Sequence, residues 1–246
     1  MRLFKYRDIS SSSGAGLERL RTILQDQTFW CASPSTLNDP EEFVWECDYS
    51  PSDETTELLA EVFRAKTGRP QLEALARARS VVRAGHLEPI ARPIFEQMIA
   101  RCRDEIGLTC FATSSKNEVM WERYAAGGEG VCIEVEAPDR LLHTQLHPVQ
   151  YPAKKQLHVD HLLSSSTRRS SAKLVYEVAL LSKPASWAAE AEVRLVSKRQ
   201  NVCVQIEDSQ IVHLHIGSKL AASNVSQLMK LVGTLPYDLP MSVGEA

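Results

Sequence analysis

The spacing of apolar positions changes period twice along this chain. It opens with strand-like patterning, shifts to a helical repeat between residues 53 and 106, and returns to strand-like patterning afterwards. Leu3 and Phe4 begin a short strand over residues 2–5. After a small-residue loop at 10–14, Leu17, Leu20, Ile23 and Leu24 recur on one helical face, predicting a helix that ends near Gln25. Residues 28–32 read as a second strand, followed by a turn rich in Asn, Asp and Pro that reaches Phe43. Within 53–106 the pattern predicts three helices. Asp53 caps the first, which carries Leu58, Leu59, Val62 and Phe63; the second carries Leu72, Leu75 and Val82. The third follows Pro93, places Ile94, Phe95, Met98, Ile99 and Cys102 on one stripe, and stops at Gly107.

Residues 108–112 predict a strand running into Thr113, Ser114 and Ser115. A short helix over 118–126 carries Met120, Trp121 and Tyr124 and is ended by Gly127, Gly128 and Gly130. Val131, Ile133 and Val135 then alternate with polar partners as a clean strand. Residues 147–151 suggest another. The Ser/Arg-rich stretch at 164–171 is expected to be mobile, and the apolar stretch at 174–181 has no assignable type. Strands follow at 192–197, 201–206 and 210–216, then a helix at 219–232. Strands at both ends, helices between and no regular βαβ alternation predict an α+β fold with a split, mixed or antiparallel sheet. The expected organisation is one domain over 1–236, a helical insertion or lid at 53–106, and a loosely ordered tail at 237–246.

Composition narrows the class. The chain has 246 residues, 43% hydrophobic and 24% charged, with net charge −3. That is enough length for a full core and excludes a global basic field for nucleic acid. No apolar run approaches ~20 residues, and the N-terminus lacks a signal-peptide pattern, so a cytoplasmic protein without a membrane partner is expected. The six cysteines form no C-x-x-C pair and read as small buried hydrophobes. No HExxH, GxGxxG or GxxxxGK[ST] occurs, which argues against a zinc, Rossmann or P-loop site.

The segment with most chemistry runs from Trp187 through Glu190, Glu192 and Arg194. Read as a strand, it puts Glu190, Glu192 and Arg194 on one face and Val193 and Leu195 on the other. Two carboxylates so placed repel each other and call for a cation. A transient sugar cation or a metal would serve, and so would Arg194 with no catalysis at all.

Four segments together resemble one bacterial family: Leu3-Phe-Lys-Tyr-Arg7, Asn38-Asp-Pro-Glu-Glu-Phe43, Met120-Trp-Glu-Arg-Tyr-Ala125 with Gly130-Val-Cys-Ile-Glu134, and Trp187-x-x-Glu190-x-Glu192-x-Arg194. The chain resembles the domain-of-unknown-function family 2971, which includes AbiGi-like abortive-infection proteins, over about residues 1–235. It departs from that pattern at Glu41, Gly128, Ala189 and Val193. A more distant resemblance is to ADP-ribosyltransferases, whose basic first-strand residue, Ser/Thr element or Tyr, and Glu-x-Glu strand match Tyr6-Arg7, Thr113-Ser114-Ser115 or Tyr124, and Glu190-Ala-Glu192 in order.

These resemblances imply an ADP-ribosyltransferase-like fold and transfer of ADP-ribose from NAD+ to a protein or nucleic acid, as a toxin or antiphage effector, with an antitoxin or defence-system partner. NAD+ glycohydrolysis is the near neighbour. NAD+ is then the substrate, and no metal is expected. Glu192 would stabilise the oxocarbenium-like state and hold a ribose hydroxyl, and Glu190 would orient or deprotonate the acceptor. Arg7 would take the pyrophosphate or adenosine ribose, Ser114 or Ser115 the strand or nicotinamide ribose, and Trp121 or Tyr124 the nicotinamide ring. Tyr6, Asn38 and Asp39 complete the cofactor-binding set, and Trp187 and Arg194 face the acceptor. The same residues also admit plain structural readings: a strand-end aromatic, an Asx turn, core aromatics, a helix cap and an ion pair. Two further functions stay open, a metal-dependent nuclease or hydrolase using Asp39, Glu41, Glu190 and Glu192, and a non-enzymatic sensor or interaction module in phage defence.

Overall fold

The computed structural model describes residues 1–10, 14–39, 41–42, 44–167 and 178–243. Its elements, in chain order, are β1 (Arg2–Arg7), α1 (Ala15–Asp26), β2 (Phe29–Cys31), β3 (Glu46–Asp48), α2 (Thr55–Thr67), α3 (Gln71–Arg83), α4 (Leu87–Glu105), β4 (Gly107–Ala112), α5 (Glu118–Tyr124), β5 (Val131–Glu136), β6 (Leu146–Pro148), β7 (Gln156–His158), α6 (Val159–Ser165), β8 (Glu192–Ser197), β9 (Val202–Val204), β10 (Gln210–Ile216), α7 (Ala222–Val232) and β11 (Met241–Val243). The α+β class follows. The main sheet is continuous over seven strands in the order β11-β10-β5-β1-β4-β8-β6, mixed because β10 and β11 run parallel.

Two compact units make up the chain. The first comprises Met1–Ser33, Ile106–Val149 and Ser186–Ala246; the second comprises Pro34–Glu105 and Gln150–Ala185. The helical block expected at 53–106 is therefore part of a larger unit, completed by chain on both sides of it.

In the first unit, strand alternation sorts the sheet into two faces. Leu3, Phe111, Val131, Ile133, Val135, Val193, Leu195, Leu214 and Ile216 point to one side and join the main core. The amphipathic helix α1 contributes Leu20, Ile23 and Leu24 to that core, and α7 contributes Leu228 and Leu231. The other face carries Phe4, Tyr6, Ala112 and Cys132, covered by Met120 and Trp121 of α5. Tyr6 and Trp121 meet edge-on with ring centroids 5.2 Å apart.

Residues 237–243 are held more firmly than their composition suggests; 244–246, the rest of the expected tail, lie outside the described residues. The Tyr237 hydroxyl donates to the Leu24 carbonyl at 2.6 Å, Leu239 is buried in the main core, and Met241–Val243 adds a strand beside β10.

In the second unit, Leu58, Leu59, Val62 and Phe63 of α2, Ala74 and Ala78 of α3, and Ala91 of α4 pack with Leu162 and Leu163 of α6. Helix α4 begins at Leu87 rather than after Pro93, which lies inside it. A short parallel pair, β3 with β7, completes the unit. The Ser/Arg-rich stretch at 164–171 and the apolar stretch at 174–181 lie partly outside the described residues, as do Pro40 and Phe43 of the Asn38–Phe43 motif. Cys31, Cys102 and Cys132 are buried as expected for small hydrophobes, whereas Cys203 is exposed.

Ile133 lies at the middle of β5, between β1 and β10, and is fully buried. Ile133→Ala is expected to lower unfolding free energy by about 2–5 kcal/mol. Urea titration followed by circular dichroism checks this, with an unchanged m-value expected.

Candidate functional site

The richest polar cluster lies on the α5-covered side of the first unit. Its framework is local. Asn117 caps α5 through its side-chain oxygen, which accepts from the Met120 amide at 3.3 Å. Its amide nitrogen donates to the Ala189 carbonyl at 2.7 Å, tying the helix start to the turn that carries Glu190. At the other end of the helix, the Tyr124 hydroxyl donates to Glu190 Oε1 at 2.8 Å, and Arg123 Nη1 pairs with the same oxygen at 3.2 Å. The Arg123 guanidinium lies over the Trp187 ring, 4.7 Å from its centroid.

Glu190 does not share a strand face with Glu192. It ends a 3-10 turn, Ala185–Glu190, and Ala191 takes a left-handed backbone, φ 46°, before β8 begins at Glu192. A non-glycine residue in that region costs about 1–3 kcal/mol and persists only where its surroundings fix it. Here the clamps from Asn117, Arg123 and Tyr124 do so. Alternation therefore applies to Glu192 and Arg194 alone. They share the α5-side face and form a 2.6 Å ion pair.

Both carboxylates are out of bulk solvent: Glu190 is 2% exposed, Glu192 4%, and Arg194 0%. Their cations differ in setting. Arg194 is sealed in with Glu192, so that pair is compensated at short range in a low dielectric. The Arg123 side chain is 43% exposed, so water screens its attraction for Glu190.

The remaining candidates separate by strand face and by unit. Tyr6 is buried near this cluster, its hydroxyl donating to the Ser114 carbonyl at 2.7 Å; burial pushes its pKa well up. Arg7, the next residue, falls on the opposite face, because its register partner Val131 belongs to the main core while Tyr6 pairs with Cys132. It does not join Glu190 and Glu192. The Ser114 and Ser115 carbonyls accept from the Tyr6 hydroxyl and from Trp121 Nε1, at 2.7 and 2.8 Å, and Ser114 Oγ accepts from the Lys116 amide. Trp121 is 2% exposed and locked into the core, so its ring face is not open to a nicotinamide; Tyr124 is half-buried. Asn38 and Asp39 belong to the second unit. Asp39 Oδ1 accepts from the Glu41 amide at 2.9 Å, an Asx turn, and Lys155 donates to the carbonyls of Glu41 and Glu42. A cleft of about 440 Å³ in that unit, lined by Ser52, Asp53, Glu54, His158, Asp160 and His161, holds none of the expected site residues. Among the described residues no three His, Cys, Asp or Glu side chains gather as a metal site.

Asn117 and Arg123 were not singled out by sequence. Their signal was present: Asn-x-x-x-Trp-x-Arg-Tyr puts a cap at one end of a short helix and two hydrogen-bond donors at the other. No family model matches the chain, and no curated protein and no solved structure matches it.

Two measurements check this electrostatic reading. Arg194→Met removes the cation paired with buried Glu192 at 2.6 Å and is expected to cost about 3–5 kcal/mol, while Arg194→Met with Glu192→Leu recovers much of that loss in denaturant titrations. Lys5 of β1 donates to the Cys110 carbonyl at 2.7 Å and to Thr109 Oγ1 at 3.1 Å. Burial, with Arg7 nearby, lowers its pKa from 10.5 to about 8. Between those values the unfolded chain holds the proton and the folded chain has released it, so stability rises with pH through that window. In phosphate-free buffer, the stability of wild type relative to Lys5→Met is expected to increase from pH 8 to 10.5.

Proposed function

We propose that the Glu190 cluster of the first unit handles the ribose of NAD+, breaking its bond to nicotinamide and passing ADP-ribose to a protein or nucleic-acid acceptor. The observation that carries this reading is Glu190 itself: a desolvated carboxylate reached by both Tyr124 and Arg123 from a part-exposed helix end. A carboxylate held that way suits a reaction that develops positive charge on a sugar, because its field acts without solvent reorganisation. The resemblance to abortive-infection proteins supports a role in antiphage defence.

On this reading the two glutamates exchange the roles suggested by their order. Glu192 is committed to Arg194 and frames the site. Glu190 faces the reacting sugar, with Tyr124 and Arg123 as the movable side of its surroundings. When the ribose C1′–nitrogen bond breaks, its electron pair leaves with nicotinamide and the ribose becomes oxocarbenium-like. The acceptor's lone pair then closes the bond to C1′, and its proton passes to Glu190. Tyr124 offers a half-exposed ring for the departing nicotinamide, and Trp187 with Arg123 lines the acceptor side.

Wild-type protein is expected to release nicotinamide from NAD+ and to transfer labelled ADP-ribose to macromolecules in cell extract. Glu190→Gln, which keeps the side-chain shape, is expected to lower that rate by about a hundredfold or more with the fold retained. A folded Glu190→Gln protein that turns over NAD+ at the wild-type rate overturns the proposal.

A further inference from the structure

Two side chains of α5 hold Glu190, and they differ in kind. The half-buried Tyr124 makes a hydrogen bond to Oε1 from a neutral hydroxyl. Arg123 brings a full positive charge to the same oxygen at 3.2 Å, yet its side chain is largely in water. Solvent and salt compete for such a group, so this ion pair is weak and responds to ionic strength. Among the described residues Arg123 makes no other ion pair or side-chain hydrogen bond, and its guanidinium rests on the Trp187 ring. It can therefore move off the carboxylate while keeping that aromatic face.

The backbone on both sides of this contact is strained. Ala191, directly after Glu190, has φ 46°, and Ala126, two residues after Tyr124, has φ 50°. Both are alanines in a region that favours glycine, and such conformations persist only while tertiary contacts hold them. Asn117 supplies one of those contacts through the Ala189 carbonyl, and Glu190 supplies others through Arg123 and Tyr124. Once Glu190 leaves α5, Ala191 can return to an ordinary φ. Backbone strain thus favours release, and the charge on Arg123 opposes it.

The held arrangement also works against chemistry on a sugar cation. A guanidinium this close to the carboxylate offsets the field that would stabilise developing positive charge, and with Tyr124 it crowds an oxygen that could take the acceptor's proton. We infer that Arg123 is an electrostatic latch that restrains Glu190, and that the carboxylate becomes reactive when the guanidinium swings back on Trp187 and Ala191 relaxes. The catalytic consequence rests on the NAD+ reading of this site; the two positions of the latch do not.

The test needs no NAD+. Carboxyl groups of the full-length protein are coupled to glycinamide by a water-soluble carbodiimide, and the rate at Glu190 is read by peptide mass spectrometry against exposed Glu57. Wild-type Glu190 is expected to label more slowly than Glu57. Arg123→Met is expected to raise the Glu190 rate about two- to fivefold, as loss of a partly exposed ion pair implies. Added sodium chloride is expected to raise the wild-type rate within the same range and to leave Arg123→Met unmoved, a response that loss of packing would not show. Ala191→Gly removes the conformational cost from the latched state and is expected to label more slowly than wild type. Nicotinamide release from NAD+ is followed in parallel, and kcat/KM is expected to rise in Arg123→Met by the same factor as labelling. Labelling that follows this pattern without any NAD+ turnover upholds the latch and overturns the reading of the site. Should Arg123→Met not fold, the salt dependence of wild type carries the test. Glu190 labelling unmoved by salt and by Arg123→Met, or faster in Ala191→Gly than in wild type, overturns the latch whether or not NAD+ is consumed.

Discussion

The constraint on which the first unit depends is the two-residue alternation of its strands. Adjacent residues must face opposite sides of a sheet, so a run such as Phe4-Lys5-Tyr6-Arg7 is divided whatever its chemistry. The apolar half of the alternation builds one core under α1 and α7. The other half leaves Glu192, Arg194 and Glu134 on the side of α5, where each must find a partner. Glu192 and Arg194 find each other; Glu134 takes Arg2 and His215. The pairing pattern is thus a consequence of register, and register is fixed by the apolar face it would otherwise expose.

That division explains which parts of the structure were legible in the chain. Val131, Ile133 and Val135, and Val193 with Leu195, alternate cleanly, and their strands lie where the pattern placed them. Leu20, Ile23 and Leu24 give α1 for the same reason. The pattern gave no sign of β3, β7 and β11, each only three residues long, because so short a segment contains too few positions to establish a period. It also missed that the helical block is only part of the second unit. Residues 34–52 and 150–185 are far apart in sequence, and no local period reports that they fold together.

The candidate site was readable in its residue types and misread in its geometry. Glu190, Glu192, Arg194, Tyr124 and Trp187 do gather in one region of the first unit. The error was to extend strand alternation back through Ala191. A single left-handed residue there rotates Glu190 out of register, and no propensity scale predicts an alanine with φ 46°. Its conformation is imposed by tertiary clamps from α5, 66 to 72 residues away in sequence. Trp121 illustrates the converse: its spacing from Tyr124 allowed either a stacking surface or core, and the edge-on contact with Tyr6 settles it as core.

The same alternation also bears on how many ligands the unit can serve. Had Arg7 and Glu192 shared a face, a single dinucleotide could have engaged both, with the guanidinium on its phosphates and the carboxylate on its sugar. Because seven strands of sheet hydrogen bonds lie in the plane between those faces, a ligand bound to one face cannot reach the other through it. Moving Arg7 across would need a one-residue slip of β1 against β4 and β5, and that slip would drive Leu3 out of the main core while turning Phe4 and Tyr6 into it. Burial of Leu3 and the packing of Tyr6 on Trp121 hold the strand in place. The guanidinium is therefore fixed on the α1 side by the packing of Leu3, Phe4 and Tyr6 rather than by its own contacts.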